Sequence, residues 1–299
     1  MKRILALLSI VCMAWIHVYS QQLSGVEAVD SLGTRVSLGK PASRVVSLSP
    51  AATEVLFAVG ATVVGNTTYC IYPPEAASVE KVGGFSAKSL SIEKILSLRP
   101  DLVVSTGSIH KSITDSLATY GIPVYAYSPE NFNSVASGIE KIAILTGNGQ
   151  RGKQEASKFL AAIEKIETIV ATIPMDQRLT VFWEVYNEPL MTCGTATFQH
   201  AILKAAGGRD IFSDLKGSWP RVSSEEVIAR SPQVIMGADD HGDAMSYESV
   251  AARPGWLQIP AVKNRRIVLL PTYLVSGPGP RIPQGIYLAA KALYPRLFP

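Results

Sequence analysis

Histidine, cysteine and charge are all scarce in this chain, and each shortage removes a class of protein. Of 299 residues, four are histidine, three are cysteine and 17% are charged. Cys12, Cys70 and Cys193 have neither the spacing of a zinc site nor the density of a disulfide framework. The formal net charge is +4, of which Lys2 and Arg3 supply two units, so nothing argues for a nucleic-acid partner. Nucleophile elbow, P-loop, H-E-x-x-H and dinucleotide fingerprint are all missing. His110, His200 and His241 lie far apart without ligand spacing and read as surface residues. The acidic run Asp239–Asp243 follows a strand end, where a solvated loop is normal. A non-enzyme with no cofactor and no resident metal is expected. An exported metal-dependent hydrolase on a similar scaffold is the rival reading from another class.

No apolar run reaches the ~20 residues that a membrane span needs. The nearest is Ile4–Trp15, preceded by Lys2 and Arg3 and followed by Val18-Tyr19-Ser20. A basic start, a short apolar core and small residues at the end make a secretory signal, with cleavage expected near Ser20. Cys12 lies inside the apolar run, so lipidation is not expected. The mature chain is expected to be soluble and exported.

What the chain has in quantity is alternating strand and helix. Val45–Leu48, Val63–Gly65, Asp101–Ser105 and Val124–Tyr127 read as strands, separated by helices over Ala52–Val59, Ser91–Leu98 and Lys111–Tyr120. The pattern returns with strands Thr180–Trp183, Val234–Met236 and Arg266–Leu270, and helices Phe198–Ala206, Glu225–Arg230 and Pro283–Leu293. Between the halves, Phe159, Ala162, Ile163, Ile166, Ile169 and Val170 recur at helical spacing within Gln150–Ile173. The fold class is therefore α/β: two Rossmann-like lobes with central parallel sheets, joined by a single long connecting helix. The expected divisions are a signal over 1–20, an N-terminal lobe over 21–138, a connecting helical segment over 139–173 and a C-terminal lobe over 174–299. Ser91–Val104 aligns without a gap to Ser223–Met236, so one helix-to-strand unit occurs in each half. Two related lobes leave a cleft between them, where small ligands bind.

Aromatic residues sit where loops are expected. Tyr69 and Tyr72 flank Cys70 and Ile71 before Pro73-Pro74, and Phe85 follows Gly83-Gly84. Trp183, Tyr186 and Met191 surround Asn187-Glu188-Pro189, Trp219 lies between Ser218 and Pro220, and Tyr273 follows the last strand. Local packing explains any one of them; together, at strand ends in both halves, they suit a large, flat, partly apolar ligand.

The chain resembles the class of periplasmic binding proteins that serve ABC importers of cobalamin, haem and ferric siderophores, and within it the cobalamin branch. The resemblance runs from about Arg44 to Leu293. It is carried by Arg44-Val45-Val46-Ser47-Leu48-Ser49-Pro50 with Thr53-Glu54, by Tyr69 with Tyr72-Pro73-Pro74, and by Glu93 with Pro100-Asp101-Leu102-Val103. Trp219-Pro220-Arg221-Val222-Ser223, then Glu225 and Ala229-Arg230-Ser231-Pro232-Gln233, and Pro280-Arg281 complete it. The resemblance implies capture of cobalamin or a related corrinoid and delivery to the permease subunits of an ABC importer; haem or a ferric siderophore is the alternative ligand. It implies ligand contacts at Tyr69, Phe85, Met191 and Trp219, with Tyr273 at a position where the family has an acid and Gly277 where it has an arginine. Thr106 stands where the family has another aromatic contact. Glu93 and Glu225 match acids that dock on the permease, and as acids of a first helical turn they also complement the helix dipole. Cys70 and Cys193 lie beside ligand loops on opposite lobes and are expected as free thiols.

Overall fold

The computed structural model describes residues 25–239 and 245–299. The expected signal over 1–20, Cys12, and Asp240–Asp243 of the acidic run lie outside the described residues. Among those described, no helix is long and apolar enough to cross a membrane.

An antiparallel hairpin, β1 (Val26–Val29) and β2 (Arg35–Leu38), precedes the first lobe. That lobe is built on β3 (Val45–Ser47), β4 (Val63–Gly65), β5 (Leu102–Ser105) and β6 (Val124–Ala126), all parallel in the order β4-β3-β5-β6. The second lobe contains β7 (Thr180–Asn187), β8 (Leu190–Thr192), β9 (Arg209–Asp210), β10 (Val234–Ala238) and β11 (Ile267–Leu270). Its order is β11-β10-β7, with β9 parallel and β8 antiparallel to β7. The central strands are buried along their length, as a sheet covered on both faces requires.

Alternation along these strands sorts their side chains into separate cores. In the first lobe Val45, Leu102 and Val104 face one way, and Val46 and Val103 the other, with Leu48, Ile95 and Leu117. In the second lobe Val181, Trp183, Val234 and Met236 face one way, and Phe182 and Ile235 the other, with Phe212 and Trp256. The inner faces of both lobes share a single apolar cluster. It passes through Phe159, Ile163 and Ile166 of the helix Gly149–Ala171 and reaches Ala289 and Leu293 of the last helix, Ile282–Leu293.

The connecting helix has 23 residues and spans about 34 Å at 1.5 Å per residue. Phe159, Ile163, Ile166 and Val170 are buried as their spacing predicts, whereas Ala162 is exposed. A further helix, Phe132–Leu145, precedes it and runs across the expected boundary at 138–139. Its start is fixed by a capping box between Asn131 and Ser134. Gly138 lies under the Tyr127 ring, where an added Cβ would come within 2.5 Å of Cε2.

The internal repeat is structural. Ser91 and Ser223 both cap their helices, Ile92–Ser97 and Ser224–Arg230. Arg99 and Ser231, at matched positions, both take the left-handed conformation, with φ of 47° and 49°. Two residues on, Asp101 accepts from the Ser43 and Arg44 amides that lead into β3, and Gln233 accepts from the Thr180 amide that opens β7. The strands then pair equivalently, β5 beside β3 and β10 beside β7. One unit is thus built twice, down to its unfavourable backbone turn.

Candidate functional site

Long connections leave the carboxyl ends of the strands and form the walls of the space between the lobes. On the first lobe the chain after β4 is held from within. Lys81 Nζ donates to Asn66 Oδ1 at 2.7 Å and to the Ala76 carbonyl at 2.9 Å, and buried Asn66 Nδ2 donates to the same carbonyl at 2.8 Å. Cys70 points inward against Thr67 Oγ1, and its neighbours point outward: Tyr69 is 63% exposed and Ile71 66%. Burying one side chain thus turns the apolar residues on either side toward solvent.

Phe85 is placed by two devices. Gly83 has φ 135° and packs so closely that a Cβ would lie 2.1 Å from the Ser89 carbonyl oxygen, a position only glycine can fill. His110 then fixes the loop from beneath. Its Nδ1 accepts from the Thr106 amide at 2.9 Å, so Nε2 carries the proton and donates to the Phe85 carbonyl at 2.7 Å. The two rings meet edge-on at 5.5 Å. His110 is fully buried, which corrects the expectation of a surface histidine. Burial pushes its pKa below the ordinary value, against the opposing pull of the Phe85 carbonyl. A second proton would also set N–H against N–H at Thr106.

A pH dependence follows. The unfolded chain binds more protons than the folded one below about pH 6.5, so stability rises with pH through that window. Lowering pH from 7.5 to 5.5 is expected to lower Tm. His110→Gln, which keeps one donor and one acceptor, should flatten this part of the Tm profile. An identical profile in the variant would assign the dependence to another group.

On the second lobe the hairpin of β7 and β8 turns through a cis peptide at Glu188-Pro189. Residues 218–222 run beside β8: Gly194 N–H donates to the Ser218 carbonyl, Thr192 N–H to the Pro220 carbonyl, and Val222 N–H to the Leu190 carbonyl. Met191 pairs with Arg221 in the same ribbon, so Met191 and Trp219 share one small platform. Trp219 is 45% exposed and Met191 half-buried. Trp219 also lines a cavity of about 520 Å³ whose other walls are Pro129 and Glu130 of the first lobe and Phe198 and Ser276 of the second. Trp183, expected near the hairpin loop, is instead buried in the core within β7.

The floor joins the lobes. Glu54, on the helix Pro50–Val59, accepts from Arg281 Nε at 2.8 Å and from Nη2 at 2.5 Å. Both side chains are nearly buried, and Tyr72 and Tyr273 lie over the guanidinium at 3.6 and 4.8 Å. Tyr127 adds a hydrogen bond from its hydroxyl to the Pro278 carbonyl at 2.8 Å. Burial pushes the Glu54 pKa up, and Arg281 pulls it back. Sequence reasoning placed Tyr273 in the site but assigned no role to Glu54, Tyr72 or Arg281. Each lay in a stretch that resembled the family, and Tyr72 was also one of the aromatic residues expected in a loop.

Tyr69, Phe85, Met191, Trp219 and Tyr273 thus come from three surfaces: the first-lobe loops, the ribbon at β8 and the interlobe floor. Tyr69 lies against Gly84, so the Tyr69 and Phe85 loops abut. Thr106 lies beside them, its hydroxyl buried without a partner among the described residues. Cys70 and Cys193 are both free and buried, and burial pushes the Cys193 thiol up. His200 is bonded to Asp210 at 2.8 Å and is partly buried rather than a surface group. Among the described residues no group of three or more histidine, cysteine or acidic side chains is arranged to hold a metal ion.

The family model described as periplasmic binding protein matches residues 45–274. An uncharacterized ABC transporter substrate-binding lipoprotein of Bacillus subtilis is 31% identical over 276 residues, which is 90% of this chain and 85% of that one. A vitamin B12-binding protein of Salmonella paratyphi A is 34% identical over 208 residues, 69% of this chain and 76% of that one. Among solved structures, the apo form of a periplasmic haem-binding protein from Roseiflexus superposes with a TM-score of 0.76. It is 27% identical, and the match covers 85% of this chain and 99% of that one.

Proposed function

Because the chain belongs to the periplasmic binding protein family, we propose that it captures cobalamin or a related corrinoid in the periplasm and delivers it to an ABC importer. The observation that carries the ligand class is the set of exposed apolar side chains on both lobes: Tyr69, Phe85 and Tyr273, with Trp219 facing Pro129 and Glu130 across a cavity. Flat aromatic faces at low conformational cost suit a wide macrocycle, and Met191 adds a polarizable surface beside Trp219. The shared apolar cluster and the Glu54–Arg281 pair support a cleft held open in one geometry, with little closure on the ligand. Nothing in this role needs turnover. The protein acts as a monomeric carrier, freed of its signal near Ser20.

Glu93 and Glu225 are the candidates for docking. Each is exposed in the first turn of the duplicated helix, one on each lobe, and neither has a partner among the described residues. Carboxylates at matched, symmetric positions suit guanidinium groups on a permease that is itself two-fold. Glu93→Gln with Glu225→Gln is expected to lower uptake by a reconstituted permease by about tenfold or more, with ligand affinity unchanged. Lost ligand affinity in that variant would remove the docking assignment.

The ligand is tested by calorimetric titration of the purified protein with cyanocobalamin, with haemin in parallel. Saturable one-to-one cobalamin binding is the expected result. Tight haemin binding in its place, lost on Tyr69→Phe, would keep the carrier role and overturn the ligand.

A further inference from the structure

The interlobe floor is polar but carries no net charge, and that balance restricts what can lie on it. Glu54 occupies Nε and Nη2 of Arg281. The third guanidinium nitrogen, Nη1, has no partner among the described residues, and no other charged side chain pairs with either member. Tyr72 and Tyr273, which lie over the guanidinium, are themselves 42% and 59% exposed, so the group sits at the border of the open cleft. The segment that carries Arg281 is gripped by the first lobe. Pro278 accepts from Tyr127, and Gly279 packs so close that a Cβ there would lie 3.2 Å from Glu54 Oε2. The donor edge is therefore held in place before any ligand arrives.

We propose that this charge-balanced floor is a specificity element, in which Arg281 Nη1 donates to a neutral carbonyl oxygen on the ligand rim and Glu54 selects against a carboxylate at the same place. The proposal rests on the reading of the cleft as a macrocycle site and names the rim chemistry that the site accepts. A carboxylate entering here gives up its hydration for one donor whose charge is already cancelled, and it approaches a second carboxylate. A carboxamide oxygen gives up less hydration and gains the same hydrogen bond. The selection is built from a repulsive element as well as an attractive one. It favours a macrocycle edged with carboxamides over one edged with free acids.

The test compares cyanocobalamin with its side-chain monocarboxylates, each made by hydrolysis of one amide, on the native protein and on Glu54→Gln. The native protein should bind at least one monocarboxylate about tenfold more weakly than the parent amide. Glu54→Gln leaves the floor with one positive charge and should close that gap to about twofold or reverse it. Equal shifts for amide and acid in Glu54→Gln would make the pair a structural tie only and overturn the proposal. Arg281→Lys, which keeps an ion pair but removes the free Nη1 edge, should weaken the amide ligand about tenfold. Unchanged amide affinity in Arg281→Lys also overturns it. If the native protein binds haemin and no cobalamin, the ligand reading fails by itself. The floor is then tested with haemin and its dimethyl ester, where a native preference for the free acid overturns the proposal and a preference for the ester upholds it.

Discussion

Arg281→Ala is expected to lower the free energy of unfolding by about 3–5 kcal/mol, the range for a buried ion pair that loses one partner. The cost arises at Glu54. Its carboxylate is 7% exposed and has no second cation among the described residues, so removal of the guanidinium leaves a charge that burial already disfavours. Tyr72 and Tyr273 also lose the cation over their rings. Because the pair ties the helix Pro50–Val59 to the entry of the last helix, the damage falls on the contact between lobes rather than on either sheet. Urea unfolding measures the loss, and the double variant Glu54→Leu with Arg281→Met should recover most of it. A loss below about 1 kcal/mol in Arg281→Ala would mean that water screens the pair, as for a surface ion pair.

The parts of this fold that were legible in the sequence are those written in local pattern. Val45-Val46 and Leu102-Val103-Val104 read as buried strands because parallel sheets covered on both faces need continuous apolar runs. The gapless match of Ser91–Val104 to Ser223–Met236 exposed the duplication, and the shared left-handed turn at Arg99 and Ser231 shows how deep it goes. The helix Phe132–Leu145 was read only from 139 on, within the expected connecting helical segment. Its first turns carry Asn133, Ser134 and Gly138, residues of low helix propensity that are here explained by a capping box and by the Tyr127 ring. His110 was misjudged because burial depends on the Thr106 amide and the Phe85 carbonyl, 25 residues away in the second case. Glu54 and Arg281 are separated by 227 residues, and nothing near either one announces the other. Aromatic loop residues could be found one at a time; the ion pair beneath them needed the fold.

Trp219→Ala is expected to weaken ligand binding by about 2–4 kcal/mol, roughly 30- to 1,000-fold, with Tm nearly unchanged. Both halves of the expectation come from how the residue is held. The backbone of 218–222 is fixed by its pairing with residues 190–194, so the indole is presented without further ordering cost on binding. The side chain itself is 45% exposed, so truncation opens no cavity in the core. Gly194 provides the control for position. A Cβ there would lie 1.9 Å from the Gly217 carbonyl oxygen, so Gly194→Ala keeps the indole but pushes its strand away. That variant should lose affinity and Tm together, whereas Trp219→Ala loses affinity alone. Calorimetry and thermal melts on the two variants separate a contact residue from a structural one. If Trp219→Ala binds as the native protein does, the ligand rests on the Tyr69, Phe85 and Tyr273 side of the cleft, and the cavity bounded by Pro129 and Glu130 is not part of the site.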